Sequence, residues 1–92
     1  MRIEIKKFGD TLVSRDAGRE ALNAFRPTLA SLLPAEKIQM DFSGIFTISP
    51  SWAAEFILPI QKEYGEAVEL LPTDNPAVKA TLDFLESLNQ KD

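Results

Sequence analysis

The chain contains no cysteine and no histidine. Together those absences remove disulfides, thiolate nucleophiles, ordinary zinc sites and imidazole acid–base catalysis, and with them most small-enzyme mechanisms. Basic residues are the minority, 10 Lys and Arg against 14 Asp and Glu, and the acid excess gathers beyond Lys62. The resulting net charge of -4 argues against nucleic acid as a partner. No apolar run approaches the ~20 residues of a membrane span and no secretory h-region opens the chain, so the expectation is a cytoplasmic protein that meets no membrane. Internal repeats and low-complexity tracts are also missing. What remains is 92 residues, 45% hydrophobic and 26% charged, the balance of one globular domain spanning residues 1–92 with a modest core.

The stretch from Ile38 to Phe56 organises the rest. Ile38, Met40 and Phe42 alternate with Gln39 and Asp41, the two-residue period of a strand with one buried face. Ser43 and Gly44 break that pattern. Ser49 and Pro50 then read as an N-cap and the first position of a helix, where the missing proline N–H costs nothing. In open α/β sheets the crevice beyond the carboxyl ends of the strands is where ligands and partners meet the fold. The free amides opening this helix are therefore expected to crown the sheet's rim, open to water.

Arg2 to Phe8 alternates as well, Ile3 and Ile5 set against Arg2, Glu4 and Lys6, which predicts a strand. Gly9-Asp10 predicts a type II′ hairpin loop that pairs Phe8 with Thr11, Lys7 with Leu12 and Ile5 with Ser14. Ser14 or Asp16 caps a helix with Leu22, Phe25, Leu29 and Leu32 at helical spacing. A glycine inside a helix costs ~1 kcal/mol against alanine, so Gly18 on that face predicts a close backbone approach to a strand or ligand. Pro27 predicts a kink or break near Arg26, and Pro34 the helix end. The second helix runs from about Ser51 to Glu63 with Trp52, Phe56 and Ile60 as one stripe, bent by Pro59 and closed by Gly65. Ala67 to Leu71 reads as a strand. Asn75-Pro76 opens a last helix that turns Val78, Leu82 and Leu85 inward, with Ala77 and Phe84 beside them, and frays by Gln90.

The order β-β-α-β-α-β-α predicts an α/β fold: a four-stranded mixed sheet with one hairpin, two right-handed crossovers and helices mainly on one face. The other face, bearing Phe8 and Val13 in this register, then calls for a cover or a partner, which makes a homodimer one expectation.

The element order, Asp41-Phe42-Ser43-Gly44-Ile45, the Ile48-Ser49-Pro50-Ser51 loop and Asn75-Pro76-Ala77-Val78-Lys79 resemble STAS domains. Those are the anti-sigma factor antagonists and related cytoplasmic domains of sulfate transporters and stressosome proteins. The run from Ser14 to Glu20 and the short length are more similar to a STAS-like family of undefined function whose members accompany histidine-kinase-like ATPases. The similarity covers nearly the whole chain through short, mostly structural motifs. It implies a bacterial regulatory module whose partner is an ATPase or kinase of the GHKL type. In the antagonists, a serine at the start of the second helix is phosphorylated by that partner. Matched residue by residue, the aspartate before it falls on Ser49, the phosphoserine on Pro50, the next serine on Ser51 and the following glycine on Trp52. Pro50 takes no phosphate, so a phospho-switch would have to use Ser49 or Ser51.

Each candidate has two readings. A phosphate on Ser49 or Ser51 would meet a helix dipole and add charge to a contact surface, whereas Ser49 as a plain N-cap is worth ~1 kcal/mol. Asp41 is expected to receive backbone N–H groups of the loop that begins at Ser43, a structural role, since no second carboxylate or metal ligand stands near it in sequence. Arg15 and Arg19 either find Asp16 and Glu20 or grip an acidic partner or a phosphate. Trp52 is either core or, if exposed, a contact hot spot. The reading these support is a non-enzymatic interaction module that docks its partner through residues 43–55, with no metal or cofactor. The alternatives are a small-molecule or nucleotide-binding domain using Arg15, Arg19 and the amides after Ser49, and a structural dimerisation unit.

Overall fold

A computed structural model describes residues 1–89. Its elements are β1 (Arg2–Glu4), β2 (Thr11–Leu12), α1 (Arg15–Leu29), β3 (Ile38–Asp41), β4 (Thr47–Ile48), α2 (Pro50–Tyr64), β5 (Val68–Leu70) and α3 (Pro76–Asn89), with 3₁₀ turns at Ile5–Phe8 and Gly65–Ala67. The fraying expected at Gln90 lies outside the described residues.

The chain is α/β, but the four-stranded mixed sheet and its hairpin are not what forms. β1, β3 and β5 make a three-stranded parallel sheet in the order β1-β3-β5, and β2 and β4 make a separate parallel pair. The hairpin fails because of Phe8. In an extended strand Ile5 and Phe8 would point to opposite faces, whereas a 3₁₀ turn sets residues i and i+3 side by side. That turn lets Ile5 bury fully while Phe8 packs on Phe25 and Phe56, ring centroids 6.0 and 4.9 Å away. Thr11–Leu12 then lies parallel to Thr47–Ile48 instead of pairing back onto β1.

Ile3, Ile38 and Met40 face inward into one core with Leu22, Phe25, Phe56, Ile60, Val78 and Leu85. Arg2, Glu4, Gln39, Asp41 and Glu69 occupy the opposite face, tied across strands by Arg2–Asp41 at 2.6 Å and Gln39–Glu69 at 3.1 Å. The uncovered face is thus polar and does not carry Phe8 or Val13. A strand order that never reverses stacks both crossover helices on the same side, and α1 meets α2 there at Gly18. A Cβ on Gly18 would stand 2.6 Å from the Trp52 carbonyl oxygen and 3.1 Å from its Cα. The close approach that Gly18 predicts is therefore to a second helix, not to a strand or ligand.

Ser14 is the cap of α1, its Oγ accepting the Ala17 N–H at 3.2 Å. The helix passes Pro27 without a break and stops at Leu29, short of Leu32 and Pro34. Asn23 and Pro27 are both exposed, so the carbonyl that proline deprives of a partner faces water, which limits the cost. In α3 it is Thr81, not Phe84, that joins Val78 and Leu85 inside. The Thr81 hydroxyl donates to the Ile48 carbonyl at 2.7 Å, and Phe84 stays exposed.

Candidate interaction surface between β3 and α2

The loop leaving β3 is closed by its first residue. Asp41 Oδ1 accepts the Ser43 N–H at 2.9 Å, and Oδ2 accepts from Arg2 Nη2 at 2.6 Å. The Arg2 guanidinium, followed by the Ser43 N–H and hydroxyl, holds the carboxyl down from its ordinary 3.8 to about 2. Asp41 thus serves the loop's shape, and among the described residues no cluster of acidic side chains is arranged to hold a metal ion. Ser43 lies exposed at the turn. Gly44 adopts φ 82°, the left-handed region that favours glycine, while the Lys6 side chain that a Cβ would meet is free to move aside.

Phe46 follows, and sequence patterns gave it no role. Its N–H and that of Thr47 both donate to the Asp10 carbonyl, at 2.8 and 3.1 Å. On the other side Asn75 Nδ2 donates to the carbonyls of Ile45 and Phe46, at 2.8 and 3.1 Å. Asn75 Oδ1 meanwhile accepts the Ala77 and Val78 N–H groups at 2.9 and 3.3 Å, capping α3. One amide side chain thereby fixes a helix start and a loop together. The Phe46 backbone is held from both sides while its ring is 74% exposed. The one hint in the sequence is a phenylalanine placed in the turn after Ser43-Gly44, between the strand and the helix.

At the helix start the Ser49 Oγ accepts the Trp52 N–H at 3.2 Å and donates to the Val13 carbonyl at 2.9 Å. The Ser49 N–H donates to the Leu12 carbonyl at 2.8 Å and its carbonyl accepts from Ala53 at 3.0 Å. Ser49 is thus bonded on every side, stitching α2 to the end of β2. Pro50 has no N–H and the Trp52 N–H is capped, so the expected open crown of amides reduces to the Ser51 N–H. Ser51 is half-buried, and its hydroxyl makes no hydrogen bond within the described residues.

Trp52 is not available to a partner. It is 1% exposed, stacked on Phe56 with centroids 5.0 Å apart and planes 26° apart, and its backbone abuts Gly18. Arg19 pairs with Asp16 at 2.9 Å and Arg15 reaches Glu55 on α2 at 3.6 Å, so both cations find acids within the chain. The remaining exposed apolar side chain of this region is Val13, just past β2 and 52% exposed.

Comparison of the chain with protein-family models, curated proteins and solved structures finds no match in any of the three. Among the described residues no helix is long and apolar enough to cross a membrane.

Proposed function

We propose that the chain is a non-enzymatic, STAS-like interaction module that docks an ATPase of the GHKL, histidine-kinase-like type through the segment 43–55. The observation that carries this reading is Phe46: an exposed aromatic ring on a backbone hydrogen-bonded from both sides. A pre-ordered aromatic anchor loses little entropy on binding, and aromatic residues dominate interface energetics. The contact therefore centres on Phe46, with Val13 and Ser43 at its margin, and not on Trp52. If phosphate regulates the contact it does so at Ser51, since the Ser49 hydroxyl is committed in both directions.

Neither alternative has comparable support. A nucleotide or anion site would need Arg15, Arg19 and the α2 amides, but both arginines are paired with acids of the chain and only the Ser51 N–H is left open. A dimer through the open sheet face would have to bury Arg2, Glu4, Gln39, Asp41 and Glu69. The test is recovery of a GHKL-type ATPase by the full chain from cells that make it, with Phe46→Ser in parallel. Recovery by the parent chain, weakened at least about thirtyfold in the variant as for an interface hot spot, supports the reading. Equal recovery by both moves the contact away from Phe46. Recovery by neither overturns the proposal.

A further inference from the structure

β5 lies at an edge of the three-stranded sheet. Beyond its C-terminal end, against α3, the surface opens into a groove of about 600 Å3, inside the ~300–1,000 Å3 range of small-molecule sites. Its lining has two chemistries. Leu70, Leu71 and Leu82, all half-buried, give it apolar walls. Among the described lining residues Asp74 and Asp83 add carboxylates, beside Glu86 and the ammonium of Lys79. Asp74 and Asp83 are exposed and take part in none of the ion pairs among the described residues. Carboxylates gathered at a concave apolar surface focus a negative potential there, which attracts cations and repels anions.

We propose that this groove binds a small organic cation, an alkyl- or arylammonium whose hydrocarbon lies on Leu70, Leu71 and Leu82 and whose charge faces Asp74 and Asp83. The site is separate from the Phe46 surface and does not depend on that surface's function. Its charge preference is opposite to that of the anion site considered at Arg15 and Arg19.

An NMR titration of the full chain with octylammonium, octanol and octanoate separates charge from hydrocarbon. Octylammonium should give saturable shifts centred on the amides of Leu70, Leu71 and Leu82. Two exposed charge contacts of ~0.2–1 kcal/mol each make it about two- to thirtyfold tighter than octanol, with octanoate weakest. The doubly substituted Asp74→Asn, Asp83→Asn chain, altered only at exposed positions, should lose most of that preference. Leu82→Gln should weaken octylammonium and octanol alike. Equal binding of the three probes, shifts centred outside the groove, or a preference that survives the double substitution would overturn the proposal.

Discussion

Phe46 and Trp52 stand on the same short stretch of chain and are both large and aromatic, yet one is 74% exposed and the other 1%. Side-chain hydrophobicity does not separate them. Trp52 opens a helix onto which α1 presses so closely that only a glycine fits at the crossing. Ile45 and Ile48, on either side of Phe46, are buried, and the backbone between them is fastened to Asp10 and Asn75. With both flanking side chains turned inward, the ring between them is turned out. Exposure in this segment follows from what neighbouring backbone offers, and a rigidly presented aromatic ring is the product.

The largest effect should come from the buried member of the pair. Trp52→Ala leaves a cavity among Phe8, Phe56 and Gly18 and is expected to cost ~3–5 kcal/mol, read by urea denaturation followed by circular dichroism. In the parent chain acrylamide should quench Trp52 poorly. Efficient quenching would break the contrast with Phe46 outright. Gly18→Ala comes next. Alanine favours a helix by ~1 kcal/mol over glycine, but its Cβ would collide with the Trp52 carbonyl, so a net loss of ~1–3 kcal/mol is expected and a gain would show that the helices are less tightly apposed.

Asn75 sharpens the other side of the comparison. Asn75→Ala removes a cap worth ~1–2 kcal/mol, and hydrogen exchange at Phe46 and Thr47 should accelerate as the loop loosens. Asn75→Asp keeps the capping acceptor but cannot donate to the Ile45 and Phe46 carbonyls. It should therefore loosen the loop with a smaller loss of stability. At the loop's other end, Asp41 titrates lower when folded than when unfolded. Its stabilising contribution is then complete above the unfolded value near 3.8 and disappears as pH falls through about 2. Asp41→Asn should flatten the stability–pH curve across that acid range, and an unchanged slope would mean that Arg2 and Ser43 do not hold it. The smallest effect on stability is expected at Phe46, where Phe46→Ser should change it by no more than about 0.5 kcal/mol while weakening partner binding at least about thirtyfold.

Much of this was legible where contacts are local. The Ile38–Phe42 alternation became β3 and a buried Phe42, Ser49-Pro50 and Asn75-Pro76 opened helices, and Gly65 closed α2 with φ 55°. Thr11–Leu12 was legible as a strand but not its partner, and Thr47–Ile48 was not legible at all, because two residues leave no period to detect. Gly9-Asp10 looked like a hairpin loop because the turn chemistry is right. Gly9 does take φ 123°, but it leads out of a 3₁₀ turn toward a parallel neighbour. The double use of Asn75 was invisible for a related reason: its Oδ1 serves a local cap, whereas its Nδ2 reaches carbonyls 30 and 29 residues away.

By itself the sequence determined the helices and their starts, the alternation of the central strand and the absence of thiol and imidazole chemistry, since each rests on residue identity or on bonds spanning a few residues. Only the tertiary structure decided that β2 runs parallel to β4, that Ile5–Phe8 coils instead of extending, and which aromatic ring meets water. Those outcomes depend on donors, acceptors and close approaches supplied by distant segments, which only the folded chain brings together.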